Sequence, residues 1–306
     1  MTDGSEVQVD LGAGRQLRNW LAVTPLISEE IVRKKSISSL SVLRTAMLQE
    51  RRTLILILPF GMSTKPARRL ADAFGIQYNV LTWQCRGLRG DLDELTKMSV
   101  LDVQSHADDM RYLMHHYQVH EADIVGFCSG AGVGLVAASG AHAQFKRLVL
   151  VCGEYVLPRS ACRPTNFQRD IDSLLTRAAQ GRRLAADLYE KLKDRLIVAG
   201  SEYDDDWAMP FASAENVYRH SLSYMSYRTR NFRAIASEVP HLAMFVSTSE
   251  DRHVTPESSA IIASSMRHPA QHVVFKGDHY ELLRCQPEII ARILQFLGDP
   301  DPNNVQ

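Results

Sequence analysis

The chain has no run of about 18 apolar residues, the length a membrane-spanning helix needs. Its opening, MTDGSEVQVDLGAG, begins with acids and lacks the apolar stretch of a secretory signal. Net charge is missing as well: 35 Lys and Arg balance 35 Asp and Glu. No global field therefore draws in nucleic acid or an anionic membrane, and a charged partner must be met by a local patch. Cysteine is sparse, with five residues, an odd number without paired spacing. That excludes a disulfide framework and a C-x-x-C zinc site. These absences lead to the expectation of a cytoplasmic protein with reduced thiols, no nucleic-acid partner and no membrane partner. Internal repeats and low-complexity segments are also lacking.

What is present is 306 residues, 45% of them hydrophobic, enough for one large α/β domain or a core with an insertion. Residues 6–24 alternate on both sides of a Gly-containing turn and suggest an edge hairpin. The block from Ser28 to Arg52 is polar and helix-like and reads as an insertion. TLILILPFG (Thr53 to Gly61) is a continuous apolar run, as expected of a strand buried on both faces of a parallel sheet. Helical TKPARRLADAFG, strand QYNVLTWQ, an Arg- and Gly-rich loop, a helix ending at HHYQV, strand ADIVGF, a small-residue helix and strand FKRLVLVCG follow in turn. This βαβ alternation calls for an α/β fold: a mostly parallel sheet with helices on both faces and right-handed crossovers. Between Glu154 and Glu238 the rhythm gives way to successive helical stretches, assigned to a helical lid over residues 154–238. The core occupies 1–153 and 239–306, resuming with strand HLAMFVSTSEDRHVTP, a helix, strand QHVVFKGDH and a last helix.

The turn in DIVGFCSGAGVG carries the chemistry. A strand, then small-x-nucleophile-x-small, then a helix is a nucleophile elbow, whose neighbours must be small for strand and helix to pass. Gly126 and Gly130 flank Cys128 at two residues on either side, whereas centring on Ser129 would put Phe127 in the crowded position. Cys128 is the expected nucleophile. Ser129 then supplies the amide that opens the following helix and faces a developing oxyanion. The loop after the TLILILPFG strand supplies the second donor, with Met62 preferred over Gly61. The base and its orienting acid should follow in the order nucleophile, acid, histidine, each just past a strand. Asp251, in step with Val254 and Pro256, is preferred over Glu250, and His279 follows the last strand. The thiolate of Cys128 is expected to be favoured by His279 and by the helix N-terminus.

Other patterns carry less. The glycines at 130, 132 and 134 miss the dinucleotide fingerprint, which needs Gly where Leu135 stands. No nucleotide or other cofactor is expected. His115, His116 and His120 lack a completing acid or Cys for a metal set, so no metal is expected. Asp204, Asp205 and Asp206 read as a solvated loop or cap, and Arg86, Arg89, Arg228, Arg230 and Arg233 as exposed arginines able to meet phosphate.

With these motifs in place the chain resembles the α/β-hydrolase superfamily, apart from the Ser28 to Arg52 block and the lid. GRQLRNWLAVTP, LILILPFGMSTKPARRLADAF and VLTWQCRGLRG resemble luminescence-type acyltransferases, thioesterases that use Ser. The elbow GFCSGA resembles the Cys-dependent acyl- and aminoacyltransferases of nonribosomal peptide assembly lines. That resemblance implies transfer of an acyl or aminoacyl group between phosphopantetheine thioesters of acyl or peptidyl carrier proteins, the only prosthetic group being the one the carrier brings. Chemistry points the same way: an acyl-Cys thioester is close in energy to a pantetheinyl thioester, so passage to another thiol is nearly reversible. The alternative is a thioesterase or a lactone hydrolase resembling the dienelactone hydrolases, which also carry G-x-C-x-G. A silent binding protein on the same fold is the third class. Tyr203, Trp207, Met209, Phe211, Tyr218 and Tyr224 are available in the lid to line an acyl pocket.

Overall fold

The protein is described from a computed structural model, in which residues 25–34, 37–86, 101–140, 144–196 and 209–298 are placed. Eight strands form one sheet: β1 (Ile27–Lys34), β2 (Ile37–Thr45), β3 (Thr53–Ile57), β4 (Asn79–Trp83), β5 (Ala122–Phe127), β6 (Phe145–Val151), β7 (Leu242–Thr248) and β8 (Gln271–Phe275). Their order across the sheet is β1-β2-β4-β3-β5-β6-β7-β8. From β4 to β8 every pairing is parallel, while β1–β2 and β2–β4 are antiparallel.

The helices fill the crossovers: α1 (Ala67–Gly75), α2 (Val103–His116), α3 (Ser129–Ser139), α4 (Asn166–Ala178), α5 (Arg182–Leu196), α6 (Ala214–Arg228), α7 (Phe232–Glu238), α8 (Pro256–Ser264) and α9 (Pro287–Gly298). Alternation along the strands decides the layering. In β3, Ile55 and Ile57 point into a core shared with α2, α3, α7 and α8, and Leu54 and Leu56 into one shared with α1 and α9. Both faces of the central strands are covered, which is why they read as unbroken apolar runs rather than alternating ones.

The first departure from expectation lies at the start of the described region. The Ser28 to Arg52 block holds the antiparallel pair β1–β2 instead of helix. Its polar residues suggested a helix surface, but ISSLSVLRT is β-branched and Ser-rich, and Leu40, Val42, Leu43 and Thr45 are buried on a strand paired on one side with β1 and on the other with β4. The hairpin expected at 6–24 lies outside the described residues. The long helical stretch starting at AENVYRHS is two helices, α6 and α7, separated at Asn231, whose side chain caps α7 through the amide of Ala234 (3.2 Å).

Candidate active site

The strand order runs outward from β3 in both directions, to β4 on one side and to β5 and β6 on the other, and crevices open at the carboxyl ends of strands at such a reversal. Cys128 stands there, between β5 and α3, with φ 53° and ψ −123°. A non-glycine residue in that region is strained by about 1–3 kcal/mol and persists only when its surroundings fix it. They do so through its neighbours. A Cβ on Gly130 would lie 2.1 Å from the carbonyl oxygen of Ile57, and one on Gly126 would lie 2.7 Å from the Cα of Ala131. The small-x-Cys-x-small spacing is therefore a packing requirement at both glycines. Cys128 is 7% exposed.

Asp251 and His279, each just past a strand, meet as expected: His279 Nδ1 lies 2.7 Å from Asp251 Oδ2. The other carboxylate oxygen of Asp251 accepts the amides of His253 (2.8 Å) and Val254 (2.9 Å), which fixes its orientation. Burial works to raise the Asp251 carboxyl, but the bond to His279 and the two amides outweigh it and hold it below its ordinary range. His279 is 1% exposed. His253 packs on His279 with ring centroids 4.8 Å apart, and burial, followed by the His279 charge, lowers it to about 4, so it stands neutral at pH 7.

Cys128, Ser129 and His279 line one cavity of about 70 Å³ together with Phe60, Tyr227 and Glu154. Its roof comes from the segment between β6 and β7, through Ile171 and Leu175 of α4, Phe211, and Tyr224 of α6. Of the aromatic residues expected there, Phe211 and Tyr224 face it. Tyr218 instead packs near α4 and α5 beneath the Arg182 guanidinium. Tyr203, Trp207, Arg89 and Asp204 to Asp206 lie outside the described residues.

The oxyanion donors divide. The Ser129 amide donates toward the Cys128 sulfur, which favours the thiolate. Met62, in contrast, donates its amide to the Pro59 carbonyl (3.1 Å) and buries its side chain in the core. For Met62 to serve, that turn would have to open. The turn is instead tied to α3 by the Phe60 amide, which donates to Ser129 Oγ (3.0 Å). Gly61, at φ 86°, is the member of the turn whose amide has no acceptor among the described residues.

The thiol itself differs from expectation. Burial first, then the Glu154 carboxylate, push Cys128 well above its ordinary range, outweighing the Ser129 amide. Cys128 is thus a neutral thiol at rest and needs a base at the moment of attack.

Sequence reasoning missed two residues here, Cys152 and Glu154. Both follow β6, the strand next to the elbow, and that position past a strand end was the available signal. Cys152, at φ 44°, places its sulfur within 4.8 Å of the ligand atoms of Asp251 and His279. Burial and the Asp251 charge push its thiol up, and it hydrogen-bonds Asp251 while Thr248 Oγ1 lies 3.5 Å away. As a protonated thiol it serves as a donor to Asp251. The other flagged groups find local employment. Arg228 pairs with Asp172 (3.0 Å), Arg233 reaches Ser265 (3.4 Å), and Arg86 is buried against Asp109. His115, His116 and His120 are exposed.

A strained elbow, a hydrogen-bonded His–Asp pair past β7 and β8, and a doubly covered parallel sheet agree with the sequence family that the chain matches, the alpha/beta hydrolase family, over residues 56–293. The chain belongs to the alpha/beta hydrolase family. No curated protein sequence matches it. Among solved structures it is similar to a hydrolase from Pseudomonas aeruginosa PA01 (19% identity, TM-score 0.67, covering 89% of this chain and 99% of that one). It is also similar to 2-hydroxy-6-oxo-6-phenylhexa-2,4-dienoate hydrolase from Rhodococcus sp. strain RHA1 (17%, 0.65, 90% and 100%) and to the enol-lactonase from Burkholderia xenovorans LB400 (13%, 0.61, 89% and 96%). At these identities the likeness is one of fold. No helix among the described residues is long and apolar enough to cross a membrane.

Proposed function

We propose that the protein cleaves an ester or thioester through a covalent acyl-Cys128 intermediate. The observation that carries this reading is the strained elbow presenting Cys128 in the same cavity as a His279 oriented by Asp251. His279 takes the Cys128 proton as the sulfur attacks the carbonyl carbon, and Asp251 holds the ring and stabilises the imidazolium that forms. The Ser129 amide, at the N-terminus of α3, and the Gly61 amide receive the oxyanion. His279 returns the proton to the leaving thiol or alcohol, and a second acceptor then releases the acyl group.

Hydrolysis is the first reading of that second step: a thioesterase or an ester or lactone hydrolase, in keeping with the hydrolases and lactonase of the same fold. Transfer to a second thiol, such as the phosphopantetheine of a carrier protein, is favoured by one specific observation, the thiol nucleophile itself. An acyl-Cys thioester exchanges with another thiol at little cost, and the apolar roof over Cys128 slows water. The separating experiment follows an acyl-loaded carrier by mass. Free acid released at the rate of Cys128 acylation supports the hydrolase, and arrival of the acyl group on a second carrier before free acid appears supports transfer.

A further inference from the structure

Strands β5 and β6 run parallel and side by side, with Phe127 opposite Val151 at their ends. One step further the pairing meets two cysteines. The Cys128 amide donates to the Val151 carbonyl (3.0 Å) and the Glu154 amide to the Cys128 carbonyl (3.2 Å), a bracket that sets Cys152 opposite Cys128. Neighbouring strands lie about 4.8 Å apart, inside the roughly 4.4–6.8 Å between Cα atoms that a disulfide spans. Plain alternation would turn both side chains away from the face that Phe127 and Val151 share. Both residues have instead left the extended region, at φ 53° and φ 44°, and both are buried in the core on that same face, Cys128 at 7% and Cys152 at 3% exposure. Burial first, then Glu154, Asp251 and Cys152 in turn, raise the Cys128 thiol, so the two sulfurs stand within one another's field. Cys152 also keeps its sulfur within 4.8 Å of ligand atoms of Asp251 and His279, the groups that serve Cys128.

We infer that Cys128 and Cys152 form an oxidation site, in which hydrogen peroxide converts Cys128 to a sulfenic acid and Cys152 closes it to a disulfide that switches the active site off. The Cys128 sulfur gives its proton to His279 and attacks one peroxide oxygen; the O–O bond breaks, and the other oxygen leaves with that proton as water. The Cys152 sulfur then attacks the Cys128 sulfur, its proton goes to the departing hydroxyl, and a second water leaves as the S–S bond forms. The two thiols lose two electrons, and one peroxide takes them up to become two waters. The cavity of about 70 Å³ at Cys128 has room for so small an oxidant. Closure removes the nucleophile and the thiol donor to Asp251 together, and it stops Cys128 short of the irreversible sulfinic acid. The inference is independent of the acyl group and of its fate.

The test treats the protein with hydrogen peroxide, denatures it, alkylates it with iodoacetamide and reads intact mass and linked peptides. The unaltered protein is expected to lose two of its five free thiols at once, to give a peptide pair joined through Cys128 and Cys152, and to regain full alkylation after dithiothreitol. Cys152→Ala is expected to gain two oxygens on Cys128 instead, and dithiothreitol to restore a several-fold smaller fraction of its Cys128 thiol. Cys128 oxidised without a bond to Cys152, a disulfide from Cys128 to another cysteine, a Cys128 that peroxide leaves untouched, or equal recovery in the two proteins would overturn the proposal. The linked peptide is read in the unaltered protein, so the test stands whether or not Cys152→Ala folds. No readout uses a thioester, so failure of the disulfide leaves the acyl-Cys128 reading in place.

Discussion

Cys128 gains its position from its neighbours and its reactivity from its partners. Adding a methyl at Gly130 drives it into the Ile57 carbonyl, which belongs to strand β3 and cannot yield. Gly130→Ala is therefore expected to cost about 2–3 kcal/mol of stability and to lose most activity, measured by denaturant unfolding and by Cys128 acylation. Gly134→Ala meets nothing nearer than 3.2 Å, a side-chain methyl of Ile124, and should be far milder. Because burial and Glu154 raise the thiol, alkylation of Cys128 by iodoacetamide should be slow at pH 7 and still climbing at pH 9, the ordinary value for a thiol. A profile levelling off below pH 8 would show a preformed thiolate. Asp251→Asn keeps the shape of the pair but favours the wrong imidazole tautomer, and acylation should fall by about 10⁴-fold with little change in stability.

At the scale of elements, legibility followed burial. Strands β3 to β7 are covered on both faces, so TLILI and ADIVGF announce themselves as apolar runs, and the elbow between β5 and α3 shows in its glycines. Asp251 and His279 were legible because each loop follows directly on a strand. The pair β1–β2 was not, since the edge strand β1 is largely open to water and its polar residues copy a helix surface. Nor could the sequence show that Met62 spends its amide on Pro59, because a four-residue reversal depends on backbone geometry rather than composition. Cys152 and Glu154 escaped for a related reason: adjacency of β6 to β5 is a property of the sheet. One contact between elements is open to test. Arg86, just past β4, and Asp109, in α2, are each 1% exposed and face one another. Arg86→Met removes the guanidinium that faces a buried carboxylate and is expected to cost about 3–5 kcal/mol in urea unfolding, with the double variant Arg86→Met, Asp109→Leu recovering much of it.

For the molecule as a whole, a charge-balanced surface and a small apolar cavity under α4 and α6 place selection in the pocket rather than in long-range attraction. The sheet brings Cys128 from the end of β5, Asp251 from β7 and His279 from β8 to one edge, and residues of the chain between β6 and β7 line the cavity over them. The account then turns on whether Cys128 carries the acyl group. Intact-mass analysis of the protein mixed with acyl-N-acetylcysteamine thioesters decides it. The account predicts one added acyl group, present in the unaltered protein, absent in Cys128→Ala and discharged by an added thiol or by water. An adduct that persists in Cys128→Ala, or turnover of the thioester with no adduct dependent on Cys128, would contradict it.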